Sequence, residues 1–117
     1  MMTTAKKLLF WSALLAVVVL SLIPVPLVPQ AFSFWDKAQH ALAFFGLTVL
    51  ACWAYPHSRW QTLLPVFLVF GAAIEVAQWF TGWRFAEVHD WLADLVGIVL
   101  ALSLRHIWPG FRQPPHA

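Results

Sequence analysis

The residues able to do chemistry are gathered in three short stretches. Asp36, Lys37 and His40 form the first, Glu75 and Gln78 the second, and Arg84, Glu87, His89, Asp90 and Asp94 the third. All five Asp and Glu residues of the chain lie within them. Asp36 and His40 are four residues apart and share a helix face; Glu75 and Gln78, three apart, share another. Glu87, Asp90 and Asp94 follow an i, i+3, i+7 stripe, and Gly97 continues it with a residue small enough to admit a neighbouring helix. Gly46 and Gly71 offer the same kind of opening. Histidine beside carboxylates is the material of general acid–base chemistry, typically worth ~10²–10⁴-fold. Arg84 adds a planar fork suited to phosphate or carboxylate, and Lys37 a compact positive charge. The candidate catalytic groups are therefore His40, Glu75, Asp90 and Asp94. Lys37, Gln78 and Arg84 are candidates for substrate binding, and Asp36, Gly71 and Gly97 for capping or structural roles.

The elements that must position these groups are apolar. The 117-residue chain is 62% hydrophobic and 10% charged, against about half and about a quarter in a soluble domain. A chain of this length has too little interior to hide that much apolar surface from water, so lipid is the expected solvent. Four apolar segments are read from the sequence, at about 8–28, 36–54, 62–80 and 88–107. Segments of about 18–21 residues span roughly 27–31 Å as helices, matching a hydrocarbon core of ~30 Å. Alternating strand patterns are absent. Pro24, Pro26 and Pro29 should end the first helix near Ile23, and Pro109-Gly110 the fourth. Pro65 is expected in the first turn of the third, where proline is tolerated. Lys6-Lys7 followed by an apolar run also fits a signal peptide, but the uncharged stretch runs on to Gln30, so a retained transmembrane helix is expected. The predicted fold is all-α: one domain over 1–117, an integral membrane bundle of four transmembrane helices.

Orientation follows from basic residues. With both termini cytoplasmic, Lys6, Lys7, Arg59, Arg105 and Arg112 lie inside, and only Lys37 and Arg84 outside. Trp35, Trp79, Trp83 and Trp91 then fall near the outer interface, and Trp11, Trp53, Trp60 and Trp108 near the inner one. The acids all fall in the outer half. The pI near 9.1 does not indicate nucleic acid, because the seven Lys and Arg are scattered. Cys52 is the single cysteine, so no intrachain disulfide forms.

Glu75 is the sharpest single residue. A carboxylate inside an apolar helix costs several kcal/mol (~2.5–3.5 on insertion scales) unless paired, hydrated or protonated, so it should face the bundle interior. Three function classes fit: binding or processing of an anionic lipid or envelope precursor, a small proton-coupled transporter using Glu75, and a structural or partner subunit. Bland roles stand beside these, with Asp36 as a helix cap, Lys37 snorkelling and Gln78 as interhelical glue. His57, His106 and His116 read as surface residues. His40, Glu75, Asp90 and Asp94 are ligand-type residues for Mg²⁺, Mn²⁺ or Zn²⁺. No compact motif such as His-Glu-x-x-His occurs, so no metal or cofactor is assigned.

Three segments together resemble the VanZ-like family of small membrane proteins: Asp36-Lys37-Ala38-Gln39-His40, Gly71 through Glu75 to Gln78, and Arg84 through Asp90 to Asp94-Leu95-Val96-Gly97. The similarity runs from about 34 to 102. It departs from the family at Asp94, where relatives usually carry Asn. The family takes its name from a protein linked to low-level resistance to the glycopeptide teicoplanin. The resemblance implies a multi-pass protein of the bacterial cytoplasmic membrane, with a polar site on the extracytoplasmic side. The expected partners are membrane lipid and, from the basic and acid–base residues rather than the resemblance, an anionic lipid or cell-wall precursor. The resemblance implies no particular reaction.

Overall fold

The computed structural model describes residues 2–23, 33–82 and 88–108. They form four helices: α1 (Met2–Leu22), α2 (Ser33–Ala54), α3 (Trp60–Thr81) and α4 (Val88–Ile107). The chain is all-α in its described residues. Two helices, over Thr3–Leu22 and Trp60–Thr81, are long and apolar enough to cross a membrane.

The helix ends follow local chemistry. The last α1 bond runs from Ile23 N to Val19 O at 3.1 Å; Pro24 follows, and the residue before a proline is pushed out of the helical region. α1 starts at Met2 rather than near Leu8, because nothing in Thr3-Thr4-Ala5-Lys6-Lys7 breaks a helix. α2 starts at Ser33, ahead of the expected Asp36. In α3, the Arg59 carbonyl accepts from the amides of Thr62 and Leu63, both at 2.9 Å. That early start places Pro65 in the second turn, not the first. Gly82 closes α3 with φ +78°, a left-handed geometry that glycine adopts without a Cβ penalty. α4 spans its expected range, with Asp90 in its first turn and Arg105 and His106 in its last, the placement the helix dipole favours.

Around the bundle the order is α1, α2, α4, α3, since α2 packs most extensively on α4, α1 on α2 and α3, and α3 on α4. α2 and α3 barely touch and stand on a diagonal. α2 and α4 run parallel: Lys37 meets Asp90 near their starts, and Cys52 meets Arg105 near their ends. Their closest crossing is at Gly97, where a Cβ would overlap the Ala41 carbonyl oxygen and stand 2.9 Å from the Phe45 nitrogen. Gly46 plays no such part, because a Cβ there meets nothing within 4 Å. Phe44, Leu47 and Ala51 of α2 pack with Ile98 of α4 and Phe67 and Ile74 of α3 in the core. Elsewhere the surface is apolar. Leu15 and Val19 of α1, Val69 and Phe80 of α3 and Val96 and Leu100 of α4 are all exposed.

Candidate functional site

The seam between α2 and α4 carries the polar site at one end. Lys37 and His40 line the α2 side, one turn apart; Asp90 and Asp94 answer them from α4. Lys37 Nζ donates to Asp90 Oδ1 at 3.1 Å. His40 Nδ1 lies 3.0 Å from Asp94 Oδ1, and His40 Nε2 lies 3.7 Å from Asp90 Oδ2. Both imidazole nitrogens thus face a carboxylate. Two flanking carboxylates fix the ring plane of a histidine held this way and favour a proton on whichever nitrogen faces them. The acids are deeply placed, with Asp90 and Asp94 only 3% and 1% exposed.

Glu75 reaches the same place from α3, across the bundle diagonal. It is buried, and one ligand-type atom from each of His40, Glu75 and Asp94 lies within 4.8 Å of the others. Gly71, one turn before Glu75, makes room: a Cβ there would stand 2.7 Å from Asp94 Oδ2. The opening expected at Gly71 thus admits a carboxylate, whereas at Gly97 it admits a helix backbone. Trp91, expected among interfacial aromatics, commits its indole N–H to the Leu68 carbonyl at 2.8 Å. That bond ties the start of α4 to α3 and walls the site beside Gly71.

Of the sequence-predicted residues, His40, Glu75, Asp90, Asp94 and Lys37 therefore converge. Gln78 makes no side-chain hydrogen bond to them among the described residues. Its Nε2 donates to the Ser21 carbonyl at 2.9 Å, linking α3 to the end of α1. Its Oε1 is buried and accepts no hydrogen bond among the described residues. Arg84 and Glu87 lie outside the described residues, as does the side chain of Asp36. His57, His89 and His106 are exposed.

Arg105, which the sequence places on the inner side only as a basic residue that sets orientation, has a structural role as well. Its guanidinium donates to the Ser58 carbonyl and to Cys52 Sγ, closing the other end of the α2–α4 seam. The signal was present, since an arginine one turn from the end of an apolar helix needs a partner or an exit to water.

Counting Lys37 as positive and His40 as neutral, the converging groups carry two net negative charges, from three carboxylates and one ammonium. Such a site holds protons or cations readily. No family model, curated protein or solved structure matches this chain.

Proposed function

We propose that this chain is a VanZ-like, multi-pass protein of the bacterial cytoplasmic membrane. In this reading all four helices span the bilayer, both termini are cytoplasmic and the His40 site opens to the extracytoplasmic side. Support for the membrane comes from two helices of spanning length and composition and from apolar side chains exposed along α1, α3 and α4. Large exposed apolar surface marks contact with lipid or partners. The excess of Lys and Arg at the opposite end supports the orientation.

The site then binds or processes an anionic lipid or lipid-linked envelope precursor by general acid–base chemistry. The observation that carries this reading is the buried His40–Asp94 pair at 3.0 Å, with Glu75 beside it. His40 is the proton-carrying group, Asp94 orients it, and Glu75 is the second acid or base. Lys37 neutralises Asp90 and steadies the far side of the ring.

The test is complementation of glycopeptide sensitivity in bacteria expressing the chain. His40→Ala and Glu75→Gln should each abolish the teicoplanin phenotype while the protein still accumulates in the membrane. Full phenotype in both variants would sink the acid–base reading. Topology is checked by thiol labelling in a Cys52→Ser background: Ala86→Cys should react from outside and His57→Cys only from inside.

A further inference from the structure

The converging groups have a property that acid–base work does not require. His40, Glu75 and Asp94 come from three different helices, yet one ligand-type atom of each lies within 4.8 Å of the others. Some point therefore lies within about 2.8 Å (4.8 Å divided by √3) of all three atoms. Metal–ligand bonds to imidazole nitrogen and carboxylate oxygen are ~2.0–2.2 Å, which sets neighbouring ligand atoms roughly 3.0–3.4 Å apart. The 3.0 Å between His40 Nδ1 and Asp94 Oδ1 already has that spacing. From the 4.8 Å limit, a Glu75 side-chain rotation that brings its carboxylate oxygen in by about 1.4 Å reaches that spacing.

The surroundings repeat what metal sites need beyond their ligands. A ligating histidine is usually oriented by a carboxylate on its other nitrogen. His40 Nε2 faces Asp90 Oδ2 at 3.7 Å, and Lys37 holds that same carboxylate at 3.1 Å. Gly71 leaves the space that Asp94 Oδ2 occupies. Charge points the same way. Glu75, Asp90 and Asp94 against Lys37 leave two negative charges among buried side chains, and one divalent cation cancels them.

We propose that His40, Glu75 and Asp94 bind one divalent transition-metal ion, of the Zn²⁺ or Mn²⁺ class, at the starting end of the α2–α4 seam. Nδ1 of His40 is the ligating nitrogen, and the ring proton moves to Nε2, facing Asp90. Lys37 and Asp90 are positioning residues. Three protein ligands leave a coordination position open, as in metal sites that bind water or substrate oxygen. An acidic site would thereby accept a phosphate- or carboxylate-bearing ligand. The assignment rests on the cluster's own geometry and holds whichever substrate the site takes.

The full chain in detergent micelles, stripped with chelator, is titrated with Zn²⁺ and with Mn²⁺. One ion per chain is expected, with binding lost in His40→Gln, Glu75→Gln and Asp94→Asn. Asp90→Asn should bind about 10–100-fold more weakly, the usual effect of removing an orienting carboxylate. X-ray absorption at the zinc edge of the unaltered protein needs no variant to fold. It should report one imidazole in a nitrogen–oxygen shell at ~2.0–2.1 Å. No ion above the micelle blank, a sulfur ligand from Cys52, or unchanged stoichiometry in the ligand variants overturns the proposal. A chain that binds no metal yet loses its glycopeptide phenotype in His40→Ala also overturns it, and leaves the acid–base reading standing. Binding without any such phenotype does the reverse.

Discussion

The two ends of the α2–α4 seam solve the same problem differently. At the starting end, Lys37, His40, Asp90 and Asp94 turn inward and meet each other, with Glu75 joining from α3. At the finishing end, the described residues include no side-chain carboxylate, and the cations find other partners. Arg105 bonds the Ser58 carbonyl and Cys52 Sγ. Lys6 lies 4.9 Å from the centre of the Trp53 ring, and Lys7 5.0 Å from that of Tyr55. Trp11 donates to the Tyr55 hydroxyl at 2.8 Å. Cations on aromatic faces keep their ammonium groups near water, at modest gain per contact. Carboxylates one turn deeper have no such exit, so each must be matched within the bundle. An end built on ring faces and carbonyls suits anchoring, whereas an end of convergent, titratable groups suits chemistry.

The largest effect that would break this contrast is at the crossing that holds the acidic end together. Gly97→Leu drives a side chain into the Ala41 carbonyl and Phe45 amide. Backbone cannot rotate away as a side chain can, so a loss of at least ~3 kcal/mol is expected, the top of the usual overpacking range. Denaturant titration in mixed micelles reads it, with Gly46→Ala as the control. Gly46 has open space around it, and that variant should stay within ~0.5 kcal/mol of the parent.

Next comes Asp94→Ala, which takes the Nδ1 partner from His40. Removing one member of a buried hydrogen bond costs ~1–3 kcal/mol. The same titration should register that loss, and a stability equal to the parent would mean the pair does not form.

A smaller change is expected for Gln78→Leu, which cuts the bond to the Ser21 carbonyl. Interhelical side-chain bonds in membrane bundles average ~0.6 kcal/mol and reach ~2. The glycopeptide phenotype proposed for His40 and Glu75 should be unaffected, since the structure sets Gln78 on the α1–α3 contact rather than in the cluster. Loss of phenotype at normal protein levels would return Gln78 to the site.

The smallest effect belongs to the basic end. Lys6→Ala removes one cation from one exposed ring, worth ~0.5–1 kcal/mol. A drop beyond ~2 kcal/mol would show that this end is as tightly coupled as the other.

Much of the acidic end was legible before any coordinates. The one-turn spacing from Lys37 to His40, and the run Asp90, Asp94, Gly97, each mark one helix face, because helical periodicity is a local property. The need to bury Glu75 was equally plain. Less legible were the partners. Gln78 shares a face with Glu75 by spacing, yet the end of α1 captures its amide. Trp91 has the composition of an interfacial anchor, yet a carbonyl one turn before Ala72 takes its N–H. Arg105 is legible only as an inner positive charge, because its partners, Ser58 and Cys52, are distant in sequence and chemically plain.

The sequence by itself determined the four helices, the ends of α2, α3 and α4 to within about three residues, and the gathering of acids toward one end, while α1 begins six residues before its expected start. Apolar length, prolines and Gly82 act over a turn or two, so neighbours along the chain suffice to specify them. Only the tertiary structure decided that α2 lies beside α4 and diagonal to α3. It likewise decided that Gly97 is a crossing while Gly46 is not, and that His40 has a carboxylate on each nitrogen. Those are matters of which ridges pack into which grooves, a choice made by the whole bundle.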